Sequence, residues 1–161
     1  MNWTAIFGVL VGALSAIGAG ISAHWYQDHR KAKSLRGALR AEIKAIVELV
    51  ERRDHVAHFK SFLDAWTRGE DLDTTPTILN LTEENRDRSI SIFLSNLSNI
   101  GLLPADIASD VVTFYRMYEG IVDDIIEIEQ LDLDAKKTML KEDLQLWEDA
   151  HALGRSLLKR L

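Results

Sequence analysis

From Asn2 to Ala23 the chain carries no ionisable side chain, and this run limits the possible folds more than any other feature. Coiled as a helix with a rise of about 1.5 Å per residue it is about 33 Å long, enough to cross a hydrocarbon core near 30 Å. Trp3 stands at one end, Trp25 and Tyr26 at the other, and such amphipathic rings favour the headgroup layer. A cleaved export signal is the competing reading, and it requires a cationic leader and a small-x-small cleavage site. Met1-Asn2-Trp3 has no cationic side chain and Ile21-Ser22-Ala23 is a poor site, so the segment is expected to be retained as a transmembrane helix.

The cations come after this run. Between His24 and Lys44, Arg30, Lys31, Lys33, Arg36, Arg40 and Lys44 face only Asp28 and Glu42, which by the positive-inside rule puts the N-terminus outside and the C-terminal body in the cytoplasm. Trp3, Trp25, Tyr26, Arg30, Lys31 and Lys33 are the expected membrane-interface residues. Each cation near an anionic surface contributes about 1 kcal/mol, so membrane lipid is an expected partner. Within the span Gly8, Gly12, Ala16 and Gly20 recur every four residues, forming a stripe on which another helix backbone packs closely. That predicts a homo-oligomer or a different membrane protein as neighbour and does not choose between them.

Composition removes several function classes. The net charge of -6 speaks against nucleic acid as a partner, because binding a duplex draws on a basic surface. The absence of cysteine rules out disulfides, thiolate metal sites and thiol nucleophiles. With 47% apolar and 27% charged residues the body is expected to fold rather than stay disordered. The expected organisation is an anchor over 1–27, a long juxtamembrane helix over 28–68, and the remainder of a cytoplasmic bundle over 69–161.

Helical periodicity supports this plan. Leu35, Leu39, Ile43, Ile46, Val47 and Val50 form one apolar face, while the stripe Val56, Phe59, Phe62, Leu63 and Trp66 lies nearly opposite at 100° per residue. Two alternatives follow. The helix breaks near Arg52-Arg53-Asp54, or it continues straight and leaves Leu35, Leu39, Ile43, Ile46 and Val50 as a candidate partner surface. Gly69 is placed to end this helix, Pro76 lies in a loop, and a shorter helix with Ile90, Phe93, Leu94 and Leu97 starts at Thr82 as N-cap. Gly101 is expected to close it in the left-handed conformation, with Pro104 opening the next helix at its first position. That helix carries Ile107, Val111, Phe114, Tyr118, Ile121, Val122 and Ile125 on one side and an acidic face on the other. A last helix carries Met139, Leu140, Leu146, Trp147, Ala150, Leu153, Leu157 and Leu161. The predicted fold is all-α: a single N-terminal transmembrane helix continuing into a small antiparallel bundle.

Few residues suggest chemistry. His55 and His58 are one turn apart with Glu51 on the same side, a weak metal-ligand pattern that lacks the catalytic Glu of a hydrolase motif. His151 sits at the edge of an apolar face. Asp143 falls inside the apolar stripe of the last helix, where an unpaired carboxylate is costly, so a cationic or hydrogen-bonding partner is expected. No phosphate-cradling glycine loop or nucleophile elbow is present, so no cofactor, no metal and no enzymatic activity are expected.

The stretches Ile92-Phe93-Leu94-Ser95-Asn96, Ile100-Gly101-Leu102-Leu103-Pro104 and Val112-Thr113-Phe114-Tyr115 resemble an element of small bacterial inner-membrane proteins of unassigned function. The resemblance implies a bacterial inner-membrane location and no activity. Three roles remain in view. The first is a non-enzymatic interaction or scaffold protein, oligomeric or part of a larger membrane complex. The second is a membrane effector or pore-forming subunit, although the span offers only Thr4, Ser15 and Ser22 to line a water path. The third is a metal-dependent hydrolase using His55 and His58.

Overall fold

The computed structural model describes the backbone of residues 3–69 and 83–161, and the side chains from Trp25 onward within those limits, except those of His55, Glu83 and Glu129. Helix α1 runs from Trp3 to Arg53, α2 from His55 to Thr67, α3 from Glu83 to Ser89, α4 from Ser91 to Ser95, α5 from Ala105 to Glu127 and α6 from Leu133 to Arg160. Short 3-10 helices at Leu97–Leu102 and Ile128–Gln130 complete the order, and there is no strand among the described residues. The all-helical class is therefore as the periodicity indicates.

Helix α1 is unbroken over its whole length, so the uncharged run and the Leu35–Val50 stripe share one rod. It stops at Asp54, whose φ of 49° and ψ of 41° are left-handed, a conformation that Asp adopts more readily than most side chains. Arg52 and Arg53 fall in the last turn, where the exposed carbonyls favour cations. His58 Nδ1 lies 3.1 Å from both the Arg53 and the Asp54 carbonyl oxygens. The left-handed residue resets the helical phase, so that Phe59 and Trp66 turn back into the core. Of the two alternatives at Arg52–Asp54, the chain takes the break.

The face Leu35, Leu39, Ile43, Ile46 and Val50 is consequently not a free partner surface, which corrects the second alternative. All five side chains are buried in the core that α1 builds with α4, α5, α6 and the first 3-10 helix. Burying an aliphatic side chain completely stabilises a fold by about 1.5–3 kcal/mol, so a bundle able to cover this face will do so.

Helix α2 ends as expected, with Gly69 at a φ of 77° and its N–H donating to the Trp66 carbonyl at 3.1 Å. Thr82 and Pro76 lie outside the described residues. The single helix expected up to Leu97 is instead two pieces, α3 and α4, because Ile90 leaves the helical region at φ -120° and ψ 22°. The corner beyond it also differs from expectation. Gly101 sits inside the Leu97–Leu102 3-10 helix, and among the described glycines only Gly69 has a positive φ. Pro104, at φ -52° and ψ 141°, is the N-cap of α5 and not its first helical residue. A proline drives the residue before it out of the helical region, and Leu103 is extended at φ -81° and ψ 155°.

Helix α6 packs against α1, α2 and α5. It runs antiparallel to α5, with Arg160 on Asp106 and Asp110 near one end and the rings of Trp147 and Tyr118 edge to face at 6.4 Å further along. It is antiparallel to α1 as well, since His151 meets Glu51 while Gly154 meets Val47. Gly154 allows this close approach. A Cβ there would lie 2.7 Å from Val47 Cγ2 and 2.8 Å from Phe114 Cε2. Asp132 caps the start of α6 by accepting the Ala135 N–H at 2.9 Å. The 3-10 corner, the start of α5 and the end of α6 thus gather at the end of the bundle from which α1 leads back to Tyr26.

Candidate functional site

The expected interface residues from Trp25 onward are at the surface. Trp25 is 71% and Tyr26 60% exposed, and Arg30, Lys31 and Lys33 are exposed too. The Trp25 ring stacks on His29 with centroids 5.8 Å apart. The Arg30 guanidinium stands 5.9 Å over the Tyr26 ring, a cation–π pairing. The side chains of Trp3, Gly8, Gly12, Ala16 and Gly20 lie outside the described residues. Among the residues whose side chains are described no helix is long and apolar enough to cross a membrane, and the run 2–23 lies outside that set.

Glu42, only 7% exposed, is a polar node that the charge pattern conceals. Its Oε1 accepts the Ile92 N–H at 2.7 Å, and its Oε2 accepts the Phe93 N–H at 3.0 Å and the Tyr115 hydroxyl at 2.8 Å. These two N–H groups open α4 and have no partner within that helix. A carboxylate reaching across from α1 therefore does the work of an N-cap and explains why the chain restarts a helix after Ile90. Burial, followed by the hydrogen bond to Glu42, pushes the Tyr115 hydroxyl well above its usual range, so it remains a donor. The Phe93 ring lies flat on Tyr115 at 4.0 Å and 9°. Parts of two of the three stretches singled out in sequence, Ile92-Phe93 and Tyr115, thus meet on one carboxylate.

Asp143 is where its phase in the sequence puts it, buried to 1% exposure among Leu140 and Trp147. Its partner is not a cation. Burial and then the neighbouring Asp124 carboxyl on α5 push it up to about 8, with Glu142 adding in the same direction. Asp143 therefore stays protonated near neutrality, and its Oδ2 has no hydrogen-bond partner. A carboxyl sealed this deeply reaches no substrate, so its effect falls on stability.

Among the described residues the histidines are not brought together as a metal site. Glu51 pairs with His151 at 2.8 Å and with Arg155 at 3.8 Å, while the His58 ring is turned to backbone carbonyls. The side chain of His55 lies outside the described residues. Among the described residues no group of three or more His, Cys, Asp or Glu could hold a metal. His151 is semi-buried, with Glu51 as its partner. The acidic face of α5 is partly used within the chain, since Asp123 pairs with Arg86 and Asp106 and Asp110 pair with Arg160.

No known protein family matches the chain, and no curated protein or solved structure is detectably similar to it.

Proposed function

We propose that the chain is a membrane-anchored, non-enzymatic interaction protein of the bacterial inner membrane, working as a homo-oligomer or as a subunit of a larger membrane complex, with its helical body in the cytoplasm. The observation carrying this reading is that the uncharged residues 3–23 and the core stripe Leu35–Val50 lie on one uninterrupted helix. With no joint between them, a lateral contact in the lipid sets the position of the body directly. The Leu35–Val50 face is consumed internally, so association falls to the Gly8, Gly12, Ala16 and Gly20 stripe. The buried acid Glu42 serves helix capping, and Asp143 is held protonated by its burial beside Asp124.

Because the chain has no cysteine, single-cysteine crosslinking in lipid is a clean test. Ala16→Cys should form a disulfide-linked dimer or a crosslink to a co-purifying partner, while Leu10→Cys, on the other side of the helix, should not. Equal yields at both positions, or none at either, would remove the stripe as an association surface.

A further inference from the structure

Between α1 and the 3-10 corner lies an open cleft of about 490 Å³. Lys31, Ser34 and Leu35 line one wall, and Asn96, Asn99 and Leu102 the other. No acidic side chain lines it, although the chain as a whole is acidic. Its donors are an ammonium, a hydroxyl and a side-chain amide, and its floor is apolar. Asn96 already donates to the Ile92 carbonyl at 2.8 Å, and the Asn99 amide approaches Asn96 Oδ1 only at 3.5 Å. The Asn99 amide therefore has an N–H to give. Lys31 follows Tyr26 by five residues, about 8 Å along the helix axis, so the mouth of the cleft lies at the depth of lipid headgroups if Trp25 and Tyr26 mark the interface.

We propose that this cleft binds the phosphate of one anionic lipid headgroup, Lys31 supplying the charge and Ser34 and Asn99 supplying neutral donors, with Leu35 and Leu102 as its apolar floor. The assignment rests on the membrane-anchored reading. It goes further by naming a site: Lys33 and Arg30 are as exposed as Lys31 but do not line the cleft. A diffuse basic collar would use all three alike, whereas a cleft distinguishes them. It also differs from general surface attraction in requiring the 3-10 corner, which only the folded body supplies.

The test is native mass spectrometry of the full chain released from nanodiscs of mixed phosphatidylglycerol and phosphatidylcholine. One phosphatidylglycerol should stay bound per chain. Lys31→Gln should lower that retention roughly ten-fold, the loss of one charge-assisted hydrogen bond, and Asn99→Leu should lower it less. Lys33→Gln, with the same change of charge, should leave it within about two-fold. Equal losses in Lys31→Gln and Lys33→Gln would overturn the cleft in favour of a diffuse collar. Saturation by millimolar glycerol phosphate in pure phosphatidylcholine discs would overturn lipid as the source of the phosphate. Failure of the chain to enter nanodiscs at all overturns the anchor and the site together, whereas an embedded chain holding no phosphatidylglycerol counts against the site alone. Circular dichroism of each variant separates lost binding from lost fold.

Discussion

Replacing Asp143 by Asn should make the protein more stable, and the gain should depend on pH. In the folded chain burial and the Asp124 carboxyl raise Asp143 from an ordinary 3.8 to about 8, whereas in the unfolded chain it ionises freely. The unfolded state therefore releases a proton between about pH 4 and 8 that the folded state keeps, and stability falls as pH rises through that window. At about 1.36 kcal/mol per unit the whole shift corresponds to a ceiling of about 6 kcal/mol, of which about 4 is in force at pH 7. Asn matches the shape of the protonated acid and offers Asp124 a permanent N–H donor. Urea unfolding of the full chain in detergent micelles, followed by circular dichroism, should show a gain of about 2–4 kcal/mol at pH 7 that shrinks to near zero at pH 4. A variant that is less stable at pH 7, or a gain of the same size at both values, would refute a buried, protonated Asp143.

The same assay checks four other features. Glu42→Ala strands the Ile92 and Phe93 N–H groups and the Tyr115 hydroxyl and should cost about 3–5 kcal/mol, while Tyr115→Phe, removing one of the three, should cost about 1–2. Gly154→Ala places a methyl group 2.7 Å from Val47 and 2.8 Å from Phe114 and should cost about 1–3 kcal/mol by overpacking. Gly37→Ala, in α1 with nothing within 4 Å, should instead gain about 0.5–1 kcal/mol. Asp54→Gly removes the left-handed penalty at φ 49° and should stabilise by about 1 kcal/mol; a loss there would mean that the Asp side chain holds the break in place.

What was legible in sequence was legible through period and phase. The stripe on α5 could be read from Ile107 to Val122, and the reversal between the Val50 and Val56 stripes announced a break near Asp54. That it would centre on a left-handed Asp could not be read from spacing. Asp143 stood out as a charge inside an apolar face. Glu42 carried the same signal, lying seven residues after Leu35 and four before Ile46, but was masked by the cations around it. The split between α3 and α4 was not legible, because Ile90 fits the helical period, and the cause is a carboxylate fifty residues upstream of Ile92. Gly101 and Pro104 were misplaced for a related reason. Their local propensities suit a left-handed cap and a first helical turn, but the chain places a 3-10 helix there and buries Leu103 behind it.

The proposed anchor requires one helix to lead from the lipid into the core of the bundle. Spin labels placed on single cysteines from residue 5 to 50 in liposomes, with oxygen and water accessibility measured at each, test it most directly. A membrane-spanning α1 should give oxygen access and water exclusion over 5–22, a crossover at Trp25–Tyr26, and a 3.6-residue period continuing in one phase through Val50. Water access throughout 5–22, or a loss of phase between 23 and 34, would contradict it.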